Sequence, residues 1–378
     1  MDFRLNPDQD ALVASARGLA QRHAQDPTVS WEEAGQFPWE FCSELAAHGM
    51  TGIDLSVDVG GGGGTLMDSV LVLESVGRVG PHLADAVQAT NFGAVRQIAK
   101  FGGDRVVDEV LKPILGGSAL ATIGMSEPGG GSALSSLRTR AEVRGGDVVV
   151  SGSKLFNSNG PHATHYVIWA RFGDGRDDIG AVVVPADTAG LTRGRTERFL
   201  SGEVHCGLTL DECKLPSDYV LVDHDGMRKM MTIFNIERLG NATRAYAFGE
   251  VAFKLATEYM VDRETAGSRL QDFQGLRWKI ADLRMRLDAA QLLLYRAATE
   301  LRDGAPVPVY TSIAKAFANE AGFDAANEAL QIAGGYGFTE DSALAYLFHR
   351  TRGWMIAGGT VEMQRNRIAR DVFRGMES

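Results

Sequence analysis

The sequence predicts an α+β protein that is mostly α: helices first, a β domain second, a helical bundle last. Three observations predict this order. Helical spacing of small and apolar residues runs from Asn6 to about Leu111. Near Ala119 the texture changes to β-branched residues and turns, and it stays so to about Val222. After Gly226 helical periodicity returns and lasts to the C-terminus. The resulting units are 1–118 (N-terminal helical domain), 119–222 (middle β domain) and 223–378 (C-terminal helical bundle). A chain of 378 residues can bury a large core and hold two or three domains.

The elements follow in chain order. Asn6-Pro7-Asp8-Gln9 is a helix start, with an Asn cap, Pro at the first helical position and Gln three residues after the cap. Leu12, Ala16, Leu19 and Ala20 continue that helix. Gly60 to Gly64 are consecutive glycines. They lack the spacing of a dinucleotide loop and the Lys-Ser/Thr of a phosphate loop, so they read as a flexible turn between helices. Val148–Val150, Tyr166–Trp169 and Ala181–Val184 read as strands, with Gly145-Gly146-Asp147 and Gly173-Asp174-Gly175 as hairpin turns.

Met230 to Gly267 reads as one long helix with a packed stripe at Ala245, Gly249, Ala252, Ala256 and Met260. Glu237-Arg238 stands near its start, and Arg263-Glu264-Thr265-Ala266-Gly267 closes it. Glu237 is a candidate base and Arg263 a candidate phosphate contact. From this stretch alone the plainer reading is the favoured one, a solvent-facing carboxylate and an ordinary basic residue at a helix C-terminus. Leu276, Ile280, Leu283, Leu287, Ala290, Leu294 and Leu301 form a nearly heptad stripe. Ala314, Ala318, Gly322, Ala325, Ala329 and Ile332 form another, small enough for close helix contact.

Composition narrows the functional classes. Hydrophobic and charged contents of 44% and 23% are those of a globular protein. A net charge of -10 excludes nucleic acid as the expected partner, since binding there rests on Lys and Arg neutralising phosphates. No apolar run reaches the length of a membrane span. The N-terminal MDFRLNPDQD lacks a secretory pattern. Three cysteines, Cys42, Cys206 and Cys213, imply a reducing compartment, most simply the cytoplasm. No metal site is expected, because His162 and His165 have no third ligand at suitable spacing.

Four further segments carry chemistry. Met125-Ser126-Glu127-Pro128-Gly129-Gly130-Gly131-Ser132 offers hydroxyls and backbone N–H groups, or is simply a hairpin loop. Ser153 to Gly160 follows a strand and sets Phe156 two residues from Ser158. Gln331-Ile332-Ala333-Gly334-Gly335-Tyr336-Gly337 ends a helix with glycines, which also suits a plain C-cap. Ala357-Gly358-Gly359-Thr360-Val361-Glu362-Met363-Gln364-Arg365 leads into the last helix.

Taken in order, EPGxGS, GxKxxxxNG, RxTxG, QxxGGxG and GGTxExQR resemble the acyl-CoA dehydrogenase family over nearly the whole chain. The resemblance implies a middle domain that is β-barrel-like and a C-terminal four-helix bundle. It implies FAD between them, with Met125, Ser126, Phe156 and Ser158 facing the isoalloxazine ring. Arg263 and Thr265 would hold the ADP half of FAD bound to a neighbouring subunit, with Gln331 and Gly335 contributing across a dimer interface. Thr360 and Glu362 match positions near the flavin, and Ser132 and Arg238 match contacts to the CoA arm. A homotetramer or homodimer is implied, with a heterotetramer as the variant. The implied electron acceptor is an electron-transferring flavoprotein.

The departures are informative. Members often carry the base in a Tyr-Glu-Gly-Thr segment, whose Glu position is Gly358 here. A branch that includes isovaleryl-CoA dehydrogenase-like members places it on the C-terminal-domain helix just before an Arg, where Glu237 stands. Ala133 replaces a common Asp, Ala266 a common Phe, and Phe156 a common Trp. The implied reaction is α,β-dehydrogenation of an acyl-CoA thioester. Glu237 takes the α-proton, hydride leaves to flavin N5, and the Gly358 N–H helps polarise the thioester carbonyl. Two rivals stand beside it: other chemistry on the same scaffold (a desulfinase or an enoyl-CoA reductase), and a non-catalytic subunit.

Overall fold

The computed structural model describes residues 4–24, 35–131, 134–175, 178–374 and 376. Helix α1 (Pro7–His23) starts as its sequence dictates. Asn6 Oδ1 accepts the Gln9 N–H at 2.9 Å and Gln9 Oε1 accepts the Asn6 N–H at 3.2 Å, a reciprocal cap. Helices α2 (Trp39–Ala47), α3 (Leu66–Val79), α4 (Ala84–Asn91) and α5 (Ala94–Phe101) follow, then α6 (Asp104–Val106), a π-turn (Val107–Leu111) and α7 (Lys112–Leu115). Helix α3 is buried on almost every side, which its apolar run LMDSVLVLESV anticipates.

The glycine run is not a flexible turn. The N–H groups of Gly61, Gly62, Gly63 and Gly64 donate to Ser56, Gly52, Leu55 and Ile53 carbonyls at 2.8 to 3.0 Å. A Cβ on Gly61 would fall 2.4 Å from Leu55 O, and one on Gly62 2.8 Å from Ile53 O. Glycine is required there because two backbones touch.

The middle domain holds strands β1 (Ala121–Gly124), β2 (Arg140–Arg144), β3 (Asp147–Ser158), β4 (His165–Arg171), β5 (Ile179–Pro185), β6 (Leu191–Arg198), β7 (Val204–Pro216) and β8 (Val220–Val222). They pair in the order β6-β7-β3-β2-β4-β5-β8, with β1 parallel to β4. Strands β2 and β4 meet at one residue pair, Arg140 with Arg171, so the sheet folds into two leaves at that seam. Strand β3 alternates in burial over its first half and β2 buries Ala141 alone, which fits a half-solvated leaf, whereas β4 and β5 are buried almost throughout. The segment from Ser153 to Ser158 does not follow a strand; it is the second half of β3.

The C-terminal domain is built on α8 (Gly226–Asp262), α9 (Gln274–Thr299), α10 (Pro308–Ala333) and α11 (Ala343–Trp354), with α12 (Val361–Arg374) last. Helix α8 begins earlier than Met230 and ends before Arg263. Residues from Glu264 onward turn back as a hairpin of β9 (Glu264–Thr265) and β10 (Ser268–Arg269). Its stripe from Ala245 to Met260 is buried as spaced. Leu301 does not extend the α9 stripe: the helix ends at Thr299 and Leu301 is exposed. Helices α8 and α10 cross where Gly249 meets Gly322. A Cβ on Gly249 would stand 2.7 Å from Gly322 Cα, and one on Gly322 2.1 Å from Ala245 O. That close crossing fixes the axial position of Glu237 on α8 against α10. Among the described residues no helix is long and apolar enough to cross a membrane.

Candidate active site

The loop after β1 is pinned from below. Lys154, fully buried on β3, donates to Glu127 Oε1 at 2.7 Å, and the N–H groups of Arg138 and Thr139 bind the same carboxylate at 2.6 and 3.0 Å. Burial raises the Glu127 carboxyl, yet Lys154, Thr139 and Arg138 outweigh it and hold the group below the usual range. Burial lowers Lys154 to about 8 against the pull of Glu127. At neutral pH both are charged. Glu127 and Lys154 fall within the EPGxGS and GxKxxxxNG motifs, and a lysine beside an apolar strand pattern is the sequence signal for the pair. It holds Met125, whose carbonyl faces Lys154 Nζ at 3.5 Å, and Ser126, whose carbonyl accepts the Leu155 N–H at 2.8 Å.

Phe156 sits on an irregularity of the β3–β7 pairing between Lys154 and Asn157, with φ of 57°. A non-glycine residue in that region is strained, and such strain clusters at ligand clamps. The bulge turns the ring outward, 54% exposed, edge-on to Phe199 at 5.7 Å. Phe199 in turn stacks on His205 at 3.8 Å. Ser158 is exposed at the end of the same strand.

A second constellation lies at the far end of α8. Arg263, Thr265, Tyr259, Gly334, Gly335 and Tyr336 line a cleft of about 520 Å³. Arg263 at the end of α8 and Thr265 on the hairpin thus meet Gly335 from the end of α10 in one concavity. Nothing lies within 4 Å of where a Cβ would stand on Gly334 or Gly335, so their backbone faces open space. Gln331 is exposed one turn before those glycines and does not line the cleft. The donors are the Arg263 guanidinium, the hydroxyls of Tyr259, Thr265 and Tyr336, and open glycine backbone, a set that suits a diphosphate.

Glu237 is half-buried as a residue, but its Oε2 is sealed from solvent and makes no hydrogen bond. Burial lifts the carboxyl to about 7, against the pull of Arg244, the Gln88 amide and Lys315. A Cβ on Gly93, which opens α5, would stand 3.7 Å from that oxygen. Lys315 on α10 is fully buried and donates to Trp354 O at 3.2 Å. Burial and then Arg238 bring it down to about 7, with Glu237 opposing.

Gly358, with φ of 68°, closes this side. A Cβ there would lie 3.5 Å from Lys315 Cε. Arg238 Nε donates to Gly358 O at 3.0 Å and Nη1 to Asn235 Oδ1 at 3.0 Å, so Arg238 anchors the Gly358 loop. Burial and Arg367 lower it to about 10. Thr360 caps α12 by accepting the Met363 N–H at 3.4 Å, and Glu362 is exposed in the first turn of that helix. Ser132 and Ala133 lie outside the described residues.

Beside Glu237 lies a cluster that sequence reasoning missed altogether. Asp85 on α4 accepts from Arg244 on α8 and Arg350 on α11, each at 2.7 Å, and Arg350 also reaches Glu203 at 3.3 Å. These ion pairs join all three domains.

Profiles of the acyl-CoA dehydrogenase N-terminal, middle and C-terminal domains match residues 6–118, 122–213 and 224–373. The chain belongs to the acyl-CoA dehydrogenase family. It is 31% identical to the 3-sulfinopropanoyl-CoA desulfinase of Paraburkholderia xenovorans (strain LB400), covering 97% of this chain and 96% of that protein. Its structure resembles butyryl-CoA dehydrogenase from Megasphaera elsdenii, with a TM-score of 0.92, 28% identity, and 99% and 100% of the two chains covered. A chain in the solved structure of an electron transferring flavoprotein of Acidaminococcus fermentans matches with a TM-score of 0.91 and 26% identity, over 99% of this chain and 100% of that one. As an acyl-CoA dehydrogenase the protein is an oxidoreductase, and the cofactor of the family is FAD. The donors of the open cleft at Arg263 and the outward aromatic ring at Phe156 fit the chemistry of that cofactor.

Proposed function

We propose that this acyl-CoA dehydrogenase converts an acyl-CoA thioester to its trans-2-enoyl-CoA, with Glu237 as the base that takes the α-proton. The observation that carries this is the state of Glu237: sealed, without a hydrogen-bond partner for Oε2, and raised by burial to about 7. A base of that strength is half ionised near neutral pH, where proton abstraction is most efficient. The base then stands on α8, and Gly358 leaves the opposite wall without a carboxylate. The Gly358 N–H enters no backbone hydrogen bond among the described residues, so it is available to a thioester oxygen on which charge develops.

Met125, Ser126, Phe156, Ser158 and Thr360 would face the flavin ring, with Glu362 close by. Arg263, Thr265 and Gly335, with Gln331 at the rim, would hold the ADP half bound to a neighbouring subunit. FAD, when bound, supplies the hydride acceptor. Ser132 and Arg238 keep their assignment to the CoA arm, Arg238 through the Gly358 loop it anchors. Trp278, Met285 and Leu292 stand exposed at sevenfold spacing along α9, which supports self-association into the family's homotetramer. Electrons would pass to an electron-transferring flavoprotein. The three cysteines, buried and unpaired, fit the cytoplasm.

A desulfinase reading is favoured by one observation, Gly358 in place of a carboxylate, in a chain similar to a desulfinase. The enclosed base on α8 weighs against it, since loss of a sulfinate group needs no α-proton removed. The test is anaerobic addition of saturated acyl-CoAs to the yellow protein and to Glu237→Gln. Bleaching of the flavin band in the wild type alone is the expected result. Sulfite release from 3-sulfinopropanoyl-CoA with no bleaching by any saturated acyl-CoA would replace dehydrogenation with desulfination.

A further inference from the structure

Strand β3 carries Leu155 and Phe156 where β7 carries Gly207 alone, since Lys154 pairs with Leu208 and Asn157 with Cys206. This bulge takes Phe156 out of the regular ladder and into the left-handed region. Its carbonyl is met by a side chain instead. His205, on β7 opposite Ser158, sets Nδ1 3.2 Å from Phe156 O. A carbonyl only accepts, so this bond needs the ring proton on Nδ1. The other ring nitrogen requires the same tautomer. Nε2 is sealed and has no partner. A proton there would bury an N–H without an acceptor and turn the Nδ1 lone pair toward the carbonyl. Ser158 Oγ, 3.5 Å from Nδ1, is too far to reverse that balance. Burial keeps the ring below the usual histidine range, against Glu203 and the Phe156 carbonyl, so at neutral pH it is uncharged and carries one N–H. Phe199 lies flat on the ring, with 3.8 Å between centroids and 13° between planes, and meets Phe156 edge-on. One face of the histidine is thus fixed by stacking while its edge holds Phe156.

We infer that His205 is a positioning residue for the flavin: its Nδ1–H bond to the Phe156 carbonyl locks the bulge and keeps the Phe156 ring turned toward the isoalloxazine. The inference rests on the reading that Phe156 faces that ring, and it adds a side chain that lies outside the five sequence motifs. A bulky residue at positive φ persists only where its surroundings hold it there. The Leu155 N–H holds one side of the bulge through Ser126 O at 2.8 Å, and His205 holds the other. Without the second bond Phe156 can relax toward ordinary strand geometry, which carries its ring off the outward direction.

Three substitutions separate the bond from mere packing. His205→Phe keeps a ring for Phe199 and removes the donor. His205→Asn puts an amide nitrogen where Nδ1 stands, whereas His205→Gln puts one where Nε2 stands. The readouts are the FAD dissociation constant and the visible circular dichroism of the bound flavin. His205→Phe and His205→Gln should weaken FAD binding by about threefold to tenfold, the worth of one hydrogen bond, and should alter the flavin dichroism. His205→Asn should restore both. In a Phe156→Ala background His205→Phe should add nothing further. If His205→Phe fails to fold, His205→Gln against His205→Asn still decides. Wild-type values in His205→Phe, equal impairment in His205→Asn, or an undiminished effect in the Phe156→Ala background overturns the inference and leaves His205 as packing. Wild-type dichroism in Phe156→Ala itself would overturn the placement of Phe156 at the flavin, and this inference with it. An altered Phe156→Ala beside silent His205 variants overturns this inference alone. Bleaching by acyl-CoA is read separately, so dehydrogenation can fail while the role of His205 stands.

Discussion

Asp85 and Glu237 are two enclosed carboxylates that share a neighbour, Arg244, yet they are driven in opposite directions. For Asp85 the cost of burial is outweighed by Arg350 and Arg244, and the carboxyl lies below its usual range. For Glu237 burial dominates, and Arg244, Gln88 and Lys315 do not offset it. The difference lies in completed hydrogen bonds: Asp85 Oδ1 accepts two from guanidinium groups, and Glu237 Oε2 accepts none. Burial alone therefore does not make a carboxylate reactive. What raises Glu237 is burial with its partners withheld, beside the same shell that joins three domains at Asp85.

The largest expected effect separates the two roles by activity. Glu237→Gln should lower turnover by about 10²–10⁴, the usual contribution of a general base, while the protein stays yellow and folded. Retained turnover would move the base elsewhere. Asp85→Asn should do its main damage to stability. It leaves Arg244 buried without a carboxylate and Arg350 with Glu203 alone, and breaking a buried pair costs about 3–5 kcal/mol. Chemical denaturation of the FAD-loaded protein measures this, and a loss no larger than that of a surface variant would show that Asp85 is not the keystone of the cluster.

The pH profile comes next. If Glu237 is the base, its ionised form is the active one, and kcat/KM should climb with pH to a plateau with its midpoint near 7. Stability should move the other way. The folded carboxyl holds its proton more tightly than an unfolded glutamate near about 4.3, so wild type loses stability as pH rises from there through about 7. Glu237→Gln should lack that loss, and melting curves at pH 5 and pH 8 compare the two proteins.

The smallest effect concerns Lys315. Removing a cation that favours the ionised base should raise the Glu237 midpoint, so Lys315→Met should shift the rising limb of the profile to higher pH by a fraction of a unit. An unmoved limb would make Lys315 only the anchor of Trp354 O.

The uneven legibility of the fold has the same origin. The Asn6 cap, the stripes of α8 and α10 and the strands at Val148, Tyr166 and Ala181 depend on spacing within one element, and the structure reproduces them. The Gly60–Gly64 run was misread because its requirement for glycine comes from contact with Gly52 to Ser56, which spacing within the run does not display. Leu301 continued a stripe on paper but not in the structure, because α9 had already ended. In the site, Phe156 was visible as a residue but not as a strained, outward ring, since that depends on the irregular pairing of β3 with β7. Lys154 and Lys315 gave faint signals, charges in otherwise apolar or small-residue patterns. Gln88 and the Asp85 cluster gave none.

The sequence by itself determined the order of helical and β units, the helix caps, the small-residue stripe that lets α8 and α10 touch, and the motif set of the family. These are short-range matters of periodicity, backbone preference and side-chain size. Only the tertiary structure decided what Glu237 is. Its pKa depends on the water excluded by α4, α5 and α10, and on a hydrogen bond to Oε2 that none of them completes. Desolvation and charge pairing are sums over neighbours distant in the chain, and only folding brings those neighbours together.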